Sequence, residues 1–332
     1  MQTVEVTQTD QLLGKRLLRK LLFPLLIAVV GYSVLLFYGD AHAIIAAIHG
    51  LHASALSVGI ALSLASFAMR ALRWQYYLRV RNIRIGWLES GLVFLSGLGM
   101  SITPGKVGEL LKSLLLKDRH DISIAASAPI VIAERVMDLG ALLTLGGMGL
   151  LWSRSPPLSL GLGGASLATF FLLGKSRRLA LFGINLLARL PRVGRFREKL
   201  LLAHASLFEL WSVAAYSVGM ALSLLAWGFQ AVIIVVFASD LHAVVALPHA
   251  LVAYAAPLLA GSLALLPGGL GLTEASMTGT LKALSGLSTT SAATLTILIR
   301  GVTFWLATLL GLATLTLWHR APAQPQAPRP AE

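Results

Sequence analysis

The residues able to do chemistry in this sequence are few, and they sit inside apolar stretches. Glu109 precedes Arg135 by 26 residues, and Glu274 precedes Arg300 by the same 26. Each glutamate closes a broken segment. The first reads "SITPGKVGEL", with Pro104, Gly105, Lys106 and Gly108; the second reads "LLPGGLGLTE", with Pro267, Gly268, Gly269 and Gly271. Proline removes a backbone donor and glycine frees the backbone, so a helix stops at such a pair and a half-helix begins. Thr103 suits the N-cap of the first half-helix, with Pro104 at its first position. If the flanking runs cross a bilayer, the half-helix start presents free N–H groups and a positive dipole end at depth. That suits an anion such as phosphate. Gly269 stands in the second segment where Lys106 stands in the first, so the first break is expected to attract an anion more strongly.

The other charges at depth sharpen this expectation. Glu134, Arg135 and Asp138 interrupt an apolar helix, with Arg135 and Asp138 on one face at i, i+3. Arg300 stands alone between uncharged runs. A central arginine costs at least about 2.5 kcal/mol even on the lenient insertion scale, so it needs a partner or a wet cavity. Arg135 and Arg300 are expected to flank an anion site served by both breaks, with Glu109 and Glu274 as resting counter-ions. The structural alternative is a pair of Glu–Arg clamps that hold each broken segment to a helix. Arg70 reaches the same cavity on this reading, whereas Arg73, Arg79, Arg81 and Arg84 are expected at the lipid headgroups. The eight histidines fall mostly in loops or at span ends, without metal-ligand spacing. No nucleophile, metal cluster or Walker motif is apparent, so neither enzyme nor cofactor chemistry is expected, and no catalytic or metal residue is assigned.

These groups need elements to hold them. Hydrophobic residues make up 56% of the 332, charged residues only 12%, and mean hydropathy is +0.79. Several charge-free windows reach or approach the roughly 20 residues that span a bilayer. The chain is therefore expected to be an all-α polytopic membrane protein. There is no cysteine, hence no disulfide. The net charge of +13 could suggest nucleic acid, but most basic residues fall in alternate connections. That is the positive-inside pattern, and it puts both termini in the cytoplasm. No basic-aromatic module supports nucleic-acid binding.

Following that orientation, about six helices cross, and each Pro-Gly break turns its segment back as a re-entrant hairpin. If residues 86–103 crossed fully, Lys112, Lys117 and Arg119 would lie outside, against the charge rule. The expected division is a basic cytoplasmic start (1–20), a first anchor and outer loop (21–52), a first repeat (53–152) and a linking helix with a basic cytoplasmic loop (153–211). A second repeat (212–318) and a Pro/Ala-rich disordered tail (319–332) follow. The start imitates a signal peptide, but its apolar run is longer than usual, so a retained anchor is expected. "GIALSLASFAMR" from Gly59 resembles "GMALSLLAWGFQ" from Gly219. With the matched breaks and Glu–Arg spacing, this predicts an inverted-topology repeat, an organisation shared by many transporters.

The combination of "ITPGKVGELLK", "ERVMDL" and "LLPGGLGLTEA" followed by an apolar helix with one arginine resembles the flippase-like family. It is also called the lysylphosphatidylglycerol synthase transmembrane-domain family. The resemblance covers roughly residues 15–318. It matches Pro104, Gly105, Gly108 and Glu109 to the first motif, and Glu134, Arg135 and Asp138 to the second. Pro267, Gly268, Gly269, Gly271 and Glu274 match the third. It implies the membrane part without an aminoacyl-transferase domain. The implied function is a flippase or scramblase for an anionic lipid (a phospholipid, a polyprenyl-phosphate-linked lipid or a hopanoid-type lipid) in a bacterial inner membrane. Lipid-biosynthesis enzymes are possible partners. The alternative is a non-transporting scaffold or accessory subunit of a lipid or glycolipid pathway.

Overall fold

The computed structural model describes residues 40–103, 107–152, 155–176, 178, 210–264 and 266–320. The anchor expected at 21–38, most of the basic loop beyond Lys175 and the tail lie outside them. So do Pro104, Gly105 and Lys106.

The described residues are helical almost throughout. In chain order the helices are α1 (Ala41–Gly50), α2 (Ala53–Val80), α3 (Trp87–Gly99), α4 (Leu111–His120), α5 (Ile124–Trp152) and α6 (Pro156–Lys175). Then come α7 (Val213–Asp240), α8 (Leu247–Leu263), α9 (Leu272–Ser285), α10 (Thr289–Arg300) and α11 (Leu306–Arg320). Short 3₁₀ turns at Met100–Ile102 and Val107–Leu110 flank the first break, and a π turn at Gly301–Trp305 joins α10 to α11. Three stretches are long and apolar enough to cross a membrane: Ala53–Val80, Val213–Asp240 and Thr289–Trp318. The 29-residue α5 is as long, but it carries Glu134, Arg135 and Asp138.

Several helix contacts are reciprocal between the two halves of the described chain. α2 and α7 are each 28 residues long, and each ends in a left-handed residue two positions on, Asn82 at φ 57° and His242 at φ 56°. They pack against each other antiparallel, and the contact is reciprocal. A side chain on Gly59 would strike the Phe237 ring, and one on Gly219 would strike the Tyr77 hydroxyl. Gly59 corresponds to Gly219 in the repeat, and Tyr77 to Phe237. The remaining contacts swap in the same way: α5 packs on α8, and α11 packs on α3. At the second of these, Gly99 meets the backbone of Gly311 itself. Small residues let apolar helices approach this closely where no hydrophobic effect drives them together.

Both broken segments turn back on themselves. Glu89 at the start of α3 lies 3.4 Å from His120 at the end of α4. The counterparts, His249 at the start of α8 and Ser285 at the end of α9, also approach to 3.4 Å. Arg119 at the first open end donates to the Trp318 carbonyl at 3.0 Å, so α11 ends there. At the opposite end of α2, the His52 N–H donates to Asp240 at 2.9 Å.

Candidate functional site

A cavity of about 250 Å³ lies between the two halves, lined by Leu98 and Ser101 ahead of the first break and by Gly268 and Gly269 of the second turn. Corresponding residues of both halves line it: Leu98 and Leu258, Leu142 and Ala307, Arg135 and Arg300. The pairing is unequal elsewhere. The first half supplies Arg70 and Asp138 where the second supplies Gln230 and Thr303.

The second turn is built by glycine. Gly268, Gly269 and Gly271 take φ of 60°, 68° and 83°, which side chains with a Cβ rarely adopt. The Gly271 N–H donates to Glu274 at 2.7 Å, and that carboxylate accepts from Arg300 Nε at 2.6 Å. Arg300 also donates to the Gly268 carbonyl at 3.1 Å and lies 4.2 Å from the Phe304 ring centre. One guanidinium therefore ties α10 to both sides of the turn. Directly after it comes the π turn, a local widening often found where a helix serves a site.

Beside the first break, side chains bridge the described residues. Thr103 accepts from the Gly108 N–H at 2.8 Å, and Ser101 donates to Glu109 at 3.1 Å. Arg135 lies 2.9 Å from Glu109 and 3.0 Å from Asp138. The expected pairs Glu109–Arg135 and Glu274–Arg300 are thus in contact. Of the residues singled out from the sequence, Arg70, Arg135, Asp138, Gly268, Gly269 and Arg300 line the cavity. Glu109 and Glu274 stand behind the arginines they hold. Gly108, Pro267 and Gly271 shape the turns, and Glu134 does not reach the cavity wall.

Arg70 differs from the other two arginines. It is 6% exposed and has no carboxylate within 4 Å among the described residues. Instead its guanidinium sits 5.2 Å from the Trp227 ring centre and 5.9 Å from Phe94, and its Nε has no protein partner.

Two basic residues lie elsewhere than expected. Arg73, expected at the headgroups, is fully buried, 2.7 Å from Asp138 and 3.7 Å from Glu134, and it also donates to Ser223. Lys112, expected in a cytoplasmic basic group, is buried and ion-paired with Glu134. The physical reason is carboxylate supply. Glu134 and Asp138 add two acids on successive turns of α5, while Arg135 already serves Glu109. A buried carboxylate without a cation is expensive, so cations from α2 and α4 fold inward to meet them. The signal in the sequence was the excess of acids over arginine in "ERVMD". Gln230, Trp227, Tyr254 and Thr303 were not anticipated in the cavity wall. Gln230 could have been found as the repeat counterpart of Arg70. Among the described residues, no group of three or more His, Asp or Glu is placed to hold a metal.

The family model for the lysylphosphatidylglycerol synthase TM region matches residues 21–311. No curated protein matches the chain. With that match over most of its length, this multi-pass membrane protein belongs to the lysylphosphatidylglycerol synthase transmembrane-region family.

Proposed function

We propose that the chain moves an anionic lipid across the membrane, as a flippase or scramblase, by alternating opening of its two halves. One observation carries the reading. A cavity between two broken helices holds three arginines, and one of them, Arg70, has no carboxylate partner among the described residues. A buried unpaired guanidinium facing a cavity asks for an anion, and its planar fork suits a phosphate. Leu263 and Leu139 also line the cavity and are 80% and 37% exposed, an apolar surface beside the site. In a bilayer that surface faces acyl chains, so a lipid can place its headgroup among the arginines and its tails outside.

In this mechanism each broken segment is a re-entrant hairpin, the first entering from the cytoplasm and the second from outside. Six crossings complete the chain, and both termini are cytoplasmic in the inner membrane. The chain makes no covalent bond with its lipid and works without a cofactor. Non-helical backbone at membrane depth is tolerated only where it is buried or lines a cavity, and Gly268 and Gly269 of the second turn line one. Membership of the lysylphosphatidylglycerol synthase transmembrane-region family, which points to lipid-related processes, supports this reading.

The test is translocation in proteoliposomes that carry fluorescent phosphatidylglycerol or fluorescent phosphatidylcholine. The chain should speed phosphatidylglycerol more than phosphatidylcholine. Arg70→Gln, which copies the residue at the corresponding position of the second half, should insert normally and lose most of that rate. Rates equal to those of empty liposomes would remove the transport reading. Full activity in Arg70→Gln would remove Arg70 from it.

A further inference from the structure

Behind the cavity lies a second polar cluster that transport of the lipid does not itself require. Lys112 pairs with Glu134, Arg73 lies between Glu134 and Asp138, and Asp138 reaches Arg135 on the cavity wall. The cluster forms a relay of alternating charge from α4 through α5 and α2 to the cavity. The repeat provides its own control. Met277, Ile299 and Ile233 occupy the positions of Lys112, Glu134 and Arg73 in the second half, and all three are fully buried. The same packing is thus built from apolar side chains one repeat away. Buried ion pairs replaced by apolar residues of similar size often leave stability unchanged or improved. Packing alone therefore does not account for these charges.

The site is also built to hold its cation. The stem of Lys112 lies on Gly97, where any Cβ would meet it, and the ammonium sits 4.5 Å from the Trp74 ring centre and 5.4 Å from Phe94. Aromatic faces stabilise a desolvated ammonium without a carboxylate. Glu134 Oε1, Arg73 Nε and Arg73 Nη2 have no hydrogen-bond partner in the protein. The hydroxyls of Ser90, Ser96 and Ser113 on α3 and α4 are likewise buried without one. Ala250 and Ala256 replace the first two in the second half. At the open end of the same two helices stand Glu89 and His120.

We infer that the Lys112–Glu134 pair is a proton-binding site coupled to occupation of the cavity. The inference rests on the proposed anion site. An anionic headgroup competes with Asp138 for Arg135. Asp138 then relies on Arg73, whose contact with Glu134 is already the longer one, and Glu134 keeps only Lys112. With one cation in place of two, that carboxylate takes a proton from the surrounding solution and becomes a carboxylic acid, while the ammonium stays between its two rings. The cavity gains one negative charge and the relay one positive charge, so the buried charge is unchanged. The groups acting on the pair include Arg73 and Tyr77 from α2, Glu109 from the first turn and Arg135 from α5. Ser223 from α7 meets Arg73.

The experiment is calorimetric titration of the full-length protein in nanodiscs with short-chain phosphatidylglycerol, in two zwitterionic buffers of different ionisation heat. The unaltered protein should take up about one proton per lipid bound near neutral pH. Lys112→Met with Glu134→Ile copies the second half and should bind the lipid without proton uptake. Glu134→Gln keeps the shape and a hydrogen bond but offers no carboxylate, and it should lose the uptake too. Binding by the unaltered protein with no proton uptake, or uptake retained in both variants, overturns this inference and leaves the anion site standing. No binding by the unaltered protein sinks the anion site, and the inference with it.

Discussion

Arg300 and Glu274 are joined at 2.6 Å across the second break, and the same arginine holds the Gly268 carbonyl on the other side of the turn. Arg300 therefore both fastens the turn and brings a guanidinium to the cavity wall. Arg300→Ala should reduce lipid translocation roughly tenfold or more, since each hydrogen bond to a charged group is worth about 1.5–3 kcal/mol. Arg300→Lys should recover only part, because an ammonium cannot reproduce the planar fork. The check is the proteoliposome rate beside the amount of inserted protein.

A second expectation concerns Arg73, which serves two carboxylates. Arg73→Leu leaves Asp138 and Glu134 each short of a cation in a low-dielectric interior. Breaking such a network from one side should cost about 3–5 kcal/mol. Thermal unfolding in detergent measures it. A melting temperature within error of the unaltered protein would show that the network does not stabilise the fold.

Packing gives a third. A Cβ on Gly311 would enter the backbone of Gly99 and the Leu95 carbonyl, where nothing can swing aside. Gly311→Ala should destabilise by about 1–3 kcal/mol through overpacking. Gly91→Ala, on the same face-to-face pair of helices but with open space around it, should not. Unfolding curves of the two variants, compared at equal detergent, decide the matter.

The fourth concerns sidedness. If both broken segments are re-entrant, cysteines at Lys117 and Asn82 should label from the cytoplasm, and one at Lys282 from outside only. All three positions are exposed. Labelling of position 117 from outside would turn the first segment into an ordinary crossing.

The parts of this site legible in the sequence are those with a covalent ruler. Glu109 with Arg135, and Glu274 with Arg300, share one spacing, and helical geometry carries that spacing into contact twice. Asp138 joins Arg135 because i, i+3 residues share a helix face. Arg73 and Lys112 follow no such ruler. Basic residues near a span end look the same whether they reach outward to headgroups or inward to acids, and only the packing of α2 and α4 on α5 decides. The cavity wall was partly legible. Arg70 declares itself by charge, but Gln230, Tyr254 and Thr303 are ordinary residues until the repeat brings them opposite charged ones. The reciprocal contacts of Gly59 and Gly219 rest on a motif visible in both copies. Their partners Phe237 and Tyr77 lie outside that motif.

The mismatch between the corresponding positions 70 and 230 has an electrostatic consequence for any assembly with a two-fold axis. Two identical halves would place every ionised side chain near the axis beside a like charge of equal size. An arginine at position 70 would then face its own duplicate in a space of about 250 Å³, and Asp138 would do the same. Like charges confined in low dielectric repel by several kcal/mol. A single chain with two unlike halves escapes that restriction at positions 70 and 138, though not at Arg135 and Arg300. Arg70 is set against Gln230 and Asp138 against Thr303, so the cavity has a permanent electric direction across it. A headgroup with a positive end and a negative end would lie one way round in it, so a site of this shape distinguishes the orientation of a bound anion as well as its charge.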